Sequence, residues 1–337
     1  MQQQLRPLSL GEILDRTAEL YRNHFLLFAG IAAIFAGFML VIQMLYLGGL
    51  TLMGYPHVHP HLTLIMAVAA IVQMLAILLI AGLAIAANNR AVAWVYLGHP
   101  ASISGAVRSI RPRLGRYLWL MTITSFRAWA PLAILYVIFF TVVFKSLPHG
   151  VFSGSPAAHH TVAQNPAAFI AAGIAILVMA PFFIGALVYG CWMSLRLSLG
   201  IPASVVEELP ASRALKRSIE LSKGSLGRIL VLGVLVYAVR MIIGLVLSLP
   251  FLFSFFRHPG QPVSIVMLAV QQVSTFITNT LIGPIYATGL TLFYYDHRIR
   301  KEGYDIEWMM QAAGLEPGAA AALPDSGQPV SSNSEQV

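Results

Sequence analysis

The chain has 337 residues, 58% of them hydrophobic and only 10% charged, with a mean hydropathy of +0.76 and a formal net charge of +8. Soluble domains carry roughly 25% charged residues, so a water-soluble globular fold is excluded, and the positive charge matters by its placement rather than its sum. The single cysteine, Cys191, excludes an intrachain disulfide and, lying inside an apolar run, reads as a small core-filling residue.

Ser9 and Glu12 stand at capping-box spacing and predict a helix start. From there Leu14, Ala18, Tyr21 and Phe25 form one apolar stripe, with Asp15, Arg16, Glu19 and Arg22 largely off it. Such a helix suits the membrane interface. Because the first long apolar run begins behind this charged helix, no cleavable leader is expected.

That first span covers about Phe25 to Leu50, longer than the ~20 residues needed to cross a bilayer. The loop Thr51–His61 holds no Lys, Arg, Asp or Glu, but does hold His57, His59 and His61. Span two runs from about Leu62 to Ala87 and is followed by Asn88, Asn89 and Arg90. Leu97-Gly98-His99-Pro100-Ala101-Ser102 recurs as Leu199-Gly200-Ile201-Pro202-Ala203-Ser204, and in each copy Pro is expected to halt one helix and Ser to cap the next. Span three, about Tyr117 to Phe144, contains Arg127 and Pro131. The loop Lys145–Pro166 reads as irregular. Span four, about Ala167 to Leu195, contains Pro181, and Ser204 with Glu207 repeats the capping-box spacing. Span five, about Leu226 to Phe253, has Arg240 near its middle. Span six, about Val263 to Tyr295, contains Asn279 and Pro284. The Ala-, Pro-, Gly- and Ser-rich tail 311–337 is expected to be disordered and cytoplasmic.

An internal repeat organises these elements. Leu14-Asp15-Arg16-Thr17-Ala18-Glu19-Leu20 aligns without gaps on Leu215-Lys216-Arg217-Ser218-Ile219-Glu220-Leu221. A degenerate copy lies at Ser102–Arg116, where Arg108-Ser109-Ile110 resembles Arg217-Ser218-Ile219 and Pro112 interrupts the pattern. The fold class is therefore an all-α polytopic membrane protein. Its six transmembrane helices form three units (about 9–97, 102–199 and 211–303), each an interfacial helix followed by a two-span hairpin, within a membrane domain of residues 1–310. Two spans per unit make these parallel repeats.

Apart from Arg127 and Arg240 within spans, and Lys145 and Arg257 on the other side, the Lys and Arg residues flank the spans on one side, as do all 13 acidic residues. Basic loops stay cytoplasmic, so both termini are expected in the cytoplasm, with the chain in a bacterial inner membrane.

Arg127 and Arg240 lie about a dozen residues after Arg116 and Arg228, hence at similar depths. An ionisable residue inside a span is costly and is a functional hypothesis by default. No acidic residue lies in a span, so the remaining partners are backbone carbonyls, Gln43, Gln73, Asn279 or an anionic ligand. These two arginines are the candidate lipid- or anion-binding residues; the competing reading is snorkelling or structural bonding near Pro131 and Pro250. The outer-side histidines, His57, His59, His61, His149, His159, His160 and His258, could in principle bind a metal, but no Cys or carboxylate accompanies them and no metal site is assigned. Membrane lipids, anionic ones above all, suit the basic interfacial helices better than nucleic acid does. Phosphate-binding loops, nucleophile elbows and zinc or redox signatures are missing from the sequence, so neither an enzyme nor a cofactor is expected.

Leu5-Arg6-Pro7-Leu8-Ser9-Leu10-Gly11-Glu12-Ile13-Leu14-Asp15-Arg16, with Tyr294-Tyr295-Asp296-x-Arg298-x-Arg300-x-Glu302-Gly303, resembles a family of bacterial integral membrane proteins known as the membrane domain of glycerophosphoryl diester phosphodiesterase. The likeness covers about residues 5–310. It implies a helical membrane domain and a link to glycerophospholipid or envelope physiology. It supplies no phosphodiesterase residues, since the residues after Met310 are too few for a catalytic barrel. The expected function is a non-catalytic membrane module that binds anionic lipid, scaffolds or senses. The alternative is a transporter or channel for a small or lipid-like substrate, in which Pro131, Pro181 and Pro284 would unwind their spans.

Overall fold

The computed structural model describes residues 6–54, 63–146, 166–257, 263–304, 306 and 309–310. Within them the chain forms ten α-helices: α1 Leu10–Asn23, α2 Phe25–Leu52, α3 Thr63–Tyr96, α4 Ile103–Ile110, α5 Leu114–Ser146, α6 Pro166–Leu197, α7 Gly200–Val206, α8 Ala211–Ser222, α9 Leu226–Arg257 and α10 Ile265–Glu302. A 3-10 turn, Arg111–Arg113, joins α4 to α5. Six helices, α2, α3, α5, α6, α9 and α10, are long and apolar enough to cross a membrane, and no strand occurs among the described residues. The protein is an all-α polytopic membrane protein.

In chain order the helices expected for the three units are α1-α2-α3, α4-α5-α6 and α8-α9-α10, with α7 as a short additional helix before α8. The capping box predicted at Ser9 forms: Ser9 Oγ accepts from the Glu12 amide at 3.3 Å, and Glu12 Oε2 accepts from the Ser9 amide at 2.7 Å. Ser102 likewise caps α4 by accepting from the Gly105 amide. The matching expectation for Ser204 fails. Ser204 lies inside α7, fully buried, and donates to the Leu209 carbonyl at 3.0 Å; Pro210 begins α8 instead. The stripe of α1 is also rotated by one position from the expected one. Ile13, Thr17 and Leu20 are its buried residues, whereas Ala18 and Phe25 are exposed. A helix lying on a bundle at an interface has two apolar neighbours, protein on one side and bilayer on the other, and sequence periodicity does not tell them apart.

Neighbouring spans pair through the bundle: α2 with α3 and α10, α3 with α5 and α10, α5 with α6, and α9 with α10. The last span thus returns to the first. Burial is uneven along these helices. Large fully buried side chains such as Ile13, Leu120, Leu197, Leu199, Leu215 and Phe293 gather at the end holding α1, α4, α7 and α8. Towards the other end Phe126, Leu177 and Met241 are exposed, as the lipid-facing surface of a span is. Cys191, expected in the core, is also exposed. Between spans there is little hydrophobic driving force, and close packing of small residues takes its place.

Gly190 shows such a close approach between α6 and α5. A Cβ there would stand 3.0 Å from the Ala128 carbonyl oxygen and 3.0 Å from the Trp129 ring. A backbone atom cannot swing aside, so Gly190→Ala is expected to lower stability in detergent by about 1–3 kcal/mol. Thermal denaturation followed by tryptophan fluorescence checks this.

The helices outlast the apolar runs. At 1.5 Å per residue α10 is roughly 57 Å long, well beyond a hydrocarbon core of about 30 Å. Its last three turns emerge into the charged end, where Gly303, in the left-handed conformation (φ 66°), stops it. Pro131, Pro181 and Pro284 all lie inside continuous helices, so none of these spans is unwound as the transporter alternative expected.

Candidate functional site

Three arrangements of polar groups stand out, two at the charged end and one within the spans. The first joins the two ends of the chain. Asp296, whose side chain is 0% exposed, accepts from the Leu8 amide at 2.8 Å, from Arg228 at 3.1 Å and from Arg300 Nε at 3.0 Å. The same two arginines donate to the Leu8 carbonyl, at 2.8 and 2.6 Å. One carboxylate and two guanidiniums therefore bracket the backbone of Leu8. Both stretches that carry the family resemblance, Leu5–Arg16 and Tyr294–Gly303, meet at this point.

Beside it, Glu207 accepts two hydrogen bonds from Arg217, both at 3.1 Å, and one from the Tyr294 hydroxyl, with Arg298 3.7 Å away. Arg217 also pairs with Glu302 at 2.5 Å. Burial works against the Arg217 cation, but Glu302 and Glu207 more than offset it and hold its pKa above the ordinary arginine value. Lys301 donates to the carbonyls of Glu220, Leu221 and Lys223, closing the C-terminal end of α8. These bonds lock α7, α8 and α10 together.

The second arrangement centres on Glu208, the only described non-glycine residue with positive φ (56°). Its carboxylate receives Arg113 at 2.5 Å and Arg90 at 3.4 Å, and its carbonyl accepts from Arg116 at 2.6 Å. A left-handed glutamate is strained by about 1–2 kcal/mol, and Arg90 of α3, Arg113 of the 3-10 turn and Arg116 of α5 offset that strain. The Arg113 hydrogen bond, the largest cause, holds the Glu208 carboxyl below its usual pKa. A depressed folded-state pKa means that this contribution is present above the unfolded value and lost as pH falls through the folded one. Glu208→Gln is therefore expected to lower the melting temperature at pH 7, and the gap from wild type should close as pH falls below about 4. Melting curves across that range check it.

The third arrangement is a cavity of about 370 Å³ between α2, α3, α9 and α10. Small residues open it: Ala32, Ala36, Ala84, Gly233 and Gly283 line its wall, and a Cβ added at either glycine would meet nothing within 4 Å. Its polar lining is sparse. Arg240 stands on α9, Asn88 on α3, and Asn279 on α10 with Tyr286. Asn88 is 2% exposed; its amide donates to the Ala84 carbonyl at 3.0 Å, while its Oδ1 is buried without a partner among the described residues. Arg240 has no hydrogen bond or ion pair among the described residues.

The two arginines predicted from sequence are thus placed differently. Arg240 lines the cavity together with Asn279, one of its expected partners; Gln43 and Gln73 do not line it. Arg127 is exposed on α5 and lines no part of it. Relative to Arg116 and Arg228 the two sit 11 and 12 residues along, and that one-residue offset turns a side chain by about 100° around the helix. The outer-side histidines named above lie outside the described residues. Sequence reasoning misses Glu207 and Glu208 as a site, although they are the only adjacent acidic pair in the chain. That pairing was the available signal.

Comparisons with protein-family models, with curated proteins and with solved structures returned no match.

Proposed function

We propose that the protein is a non-catalytic module of the bacterial inner membrane, with both termini in the cytoplasm, that holds an anionic amphiphile in the cavity lined by Arg240. The orientation follows from the basic loops gathered at one end. A single observation carries the ligand: an arginine in the middle of an apolar span lines a cavity and has no counter-charge among the described residues. Translocon-based scales put an arginine at the centre of a span at about 2.5–3.5 kcal/mol, and an anion bound against it would offset that cost. Asn88 Oδ1, an acceptor without a donor among the described residues, and Asn279 suit hydroxyl or amide groups on the same molecule, and the alanine-rich wall suits an apolar body. The resemblance of the chain's two ends to a family associated with glycerophospholipid chemistry is consistent with this ligand class.

A second reading, a transporter for a lipid-like substrate, draws on the stagger of the polar groups. Asn88 lies about 3 Å along its helix from Arg90, and Asn279 about 25 Å along its own from Asp296, so polar contacts recur across much of the bilayer. Flux measured in proteoliposomes decides between holding and passage.

Native mass spectrometry of the protein released from its own membrane tests the main reading. Wild type is expected to retain an anionic amphiphile, Arg240→Gln to lose it by at least about tenfold, since a hydrogen bond to a charged group contributes about 1.5–3 kcal/mol, and Arg127→Gln to retain it. Equal retention by Arg240→Gln and wild type overturns the proposal.

A further inference from the structure

A second apolar depression lies outside the central cavity. It is a groove of about 860 Å³ bounded by α2, α3 and α4, with Ile34, Phe38, Ile80 and Leu83 on its walls and Arg108 and Arg111 at its lip. Phe38 is 13 residues into α2, so the groove reaches roughly 20 Å from the charged end towards the bilayer centre. Phe38 is 58% and Ile34 40% exposed, so the groove faces the bilayer rather than the bundle.

The internal repeat shows what is unusual about the lip. In the first unit Arg16 is followed three residues later by Glu19, and the two pair at 2.6 Å. In the third unit Arg217 is followed by Glu220 at the same spacing and is neutralised by Glu207 and Glu302. In the second unit the aligned arginine is Arg108, and the residue three positions on is Arg111. An acidic position has become basic. The neighbouring arginines are occupied, since Arg113, Arg116 and Arg90 all go to Glu208. Arg108 and Arg111 are both exposed and have no ion pair among the described residues. Two unneutralised cations therefore sit at interface depth above an apolar trough that descends into the hydrocarbon.

We infer that this groove binds one anionic phospholipid from the cytoplasmic leaflet, with its phosphate on Arg108 and Arg111 and one acyl chain against Phe38 and Ile80. The charges lie where a headgroup lies and the apolar walls where a chain lies, so both parts of the occupant are matched at the right depth. The site is independent of the Arg240 cavity.

The test titrates delipidated, full-length protein with phosphatidylglycerol and, separately, with phosphatidylcholine of the same acyl chains, counting bound lipid by native mass spectrometry. Wild type is expected to prefer phosphatidylglycerol. Arg108→Gln with Arg111→Gln should weaken phosphatidylglycerol about thirty-fold, taking roughly one factor per basic residue near the surface, and leave phosphatidylcholine unchanged. Arg111→Glu restores the arginine–glutamate spacing of the other two units, so it is compatible with the fold, and should also abolish the preference. Ile80→Trp should weaken both lipids. A phosphatidylglycerol preference that survives Arg111→Glu, or that vanishes only with Arg240→Gln, overturns the inference. So does its complete displacement by inorganic phosphate at the concentration of the lipid, because the acyl chain would then contribute nothing.

Discussion

Asp296→Asn is expected to be the most damaging conservative substitution in the protein, lowering stability by about 3 kcal/mol. The range for removing one member of a buried ion pair is about 3–5 kcal/mol. The lower end applies because Arg228 and Arg300 reach water, with side chains 27% and 40% exposed, while Asp296 does not. Asparagine preserves shape and can still accept from the Leu8 amide, but it places an amide group against two guanidiniums that also hold the Leu8 carbonyl. The first turn of the chain and the last turns of α10 should then separate before the rest of the bundle. Proteolysis near residue 8, followed alongside thermal denaturation in detergent, should show the N-terminal segment released well below the main transition. Equal melting of Asp296→Asn and wild type would mean that this junction contributes nothing to the fold.

Glu207→Gln comes next, with an expected loss of about 2–3 kcal/mol. Three groups depend on Glu207: Arg217, Arg298 and the Tyr294 hydroxyl. Its removal leaves Glu302 alone to balance Arg217 and Arg298. A double-mutant cycle with Tyr294→Phe isolates the shared interaction. Because the two side chains bond directly, a coupling of about 0.5–3 kcal/mol is expected rather than additivity. Additive effects would show that the Tyr294 hydroxyl and Glu207 act separately.

These charged residues clarify what could be read from the chain alone. Spans were legible because long apolar runs in a chain this poor in charge have few alternatives. The Ser9–Glu12 cap was legible because both halves of the motif are local. Ser204 and Glu207 have the same spacing and do not cap. α7 is buried as a separate short helix, which places Ser204 inside it, and Glu207 is drawn to Arg217, ten residues on, and Tyr294, 87 residues on. Local motifs fail where long-range partners compete. Depth along a span can be counted in residues, so the comparable depths of Arg127 and Arg240 were visible in sequence. Azimuth around the helix is set by which neighbours pack where, and this is why only Arg240 reaches the cavity. In the sequence Asn88 marks only the end of span two, since nothing local distinguishes an amide that lines a cavity from one that ends a helix.

The repeat also changes meaning once its three copies are seen together. Its arginine–glutamate helix looked like one device used three times, an elbow that sets each hairpin at the interface. The first copy is neutralised within itself and the third by Glu207 and Glu302. The second has exchanged its acid for Arg111. The elbow is common to the three copies, and of the three aligned arginines only Arg108 has no ion pair among the described residues.

The central claim, an anionic amphiphile held at Arg240, is tested most directly by a single-particle map of the full chain extracted with its native lipid. Elongated density in the cavity between α2, α3, α9 and α10, touching the Arg240 guanidinium and lying along Gly233 and Gly283, is the predicted result. A cavity filled only by water or collapsed side chains, with Arg240 bonded to a carbonyl of the bundle, would contradict it.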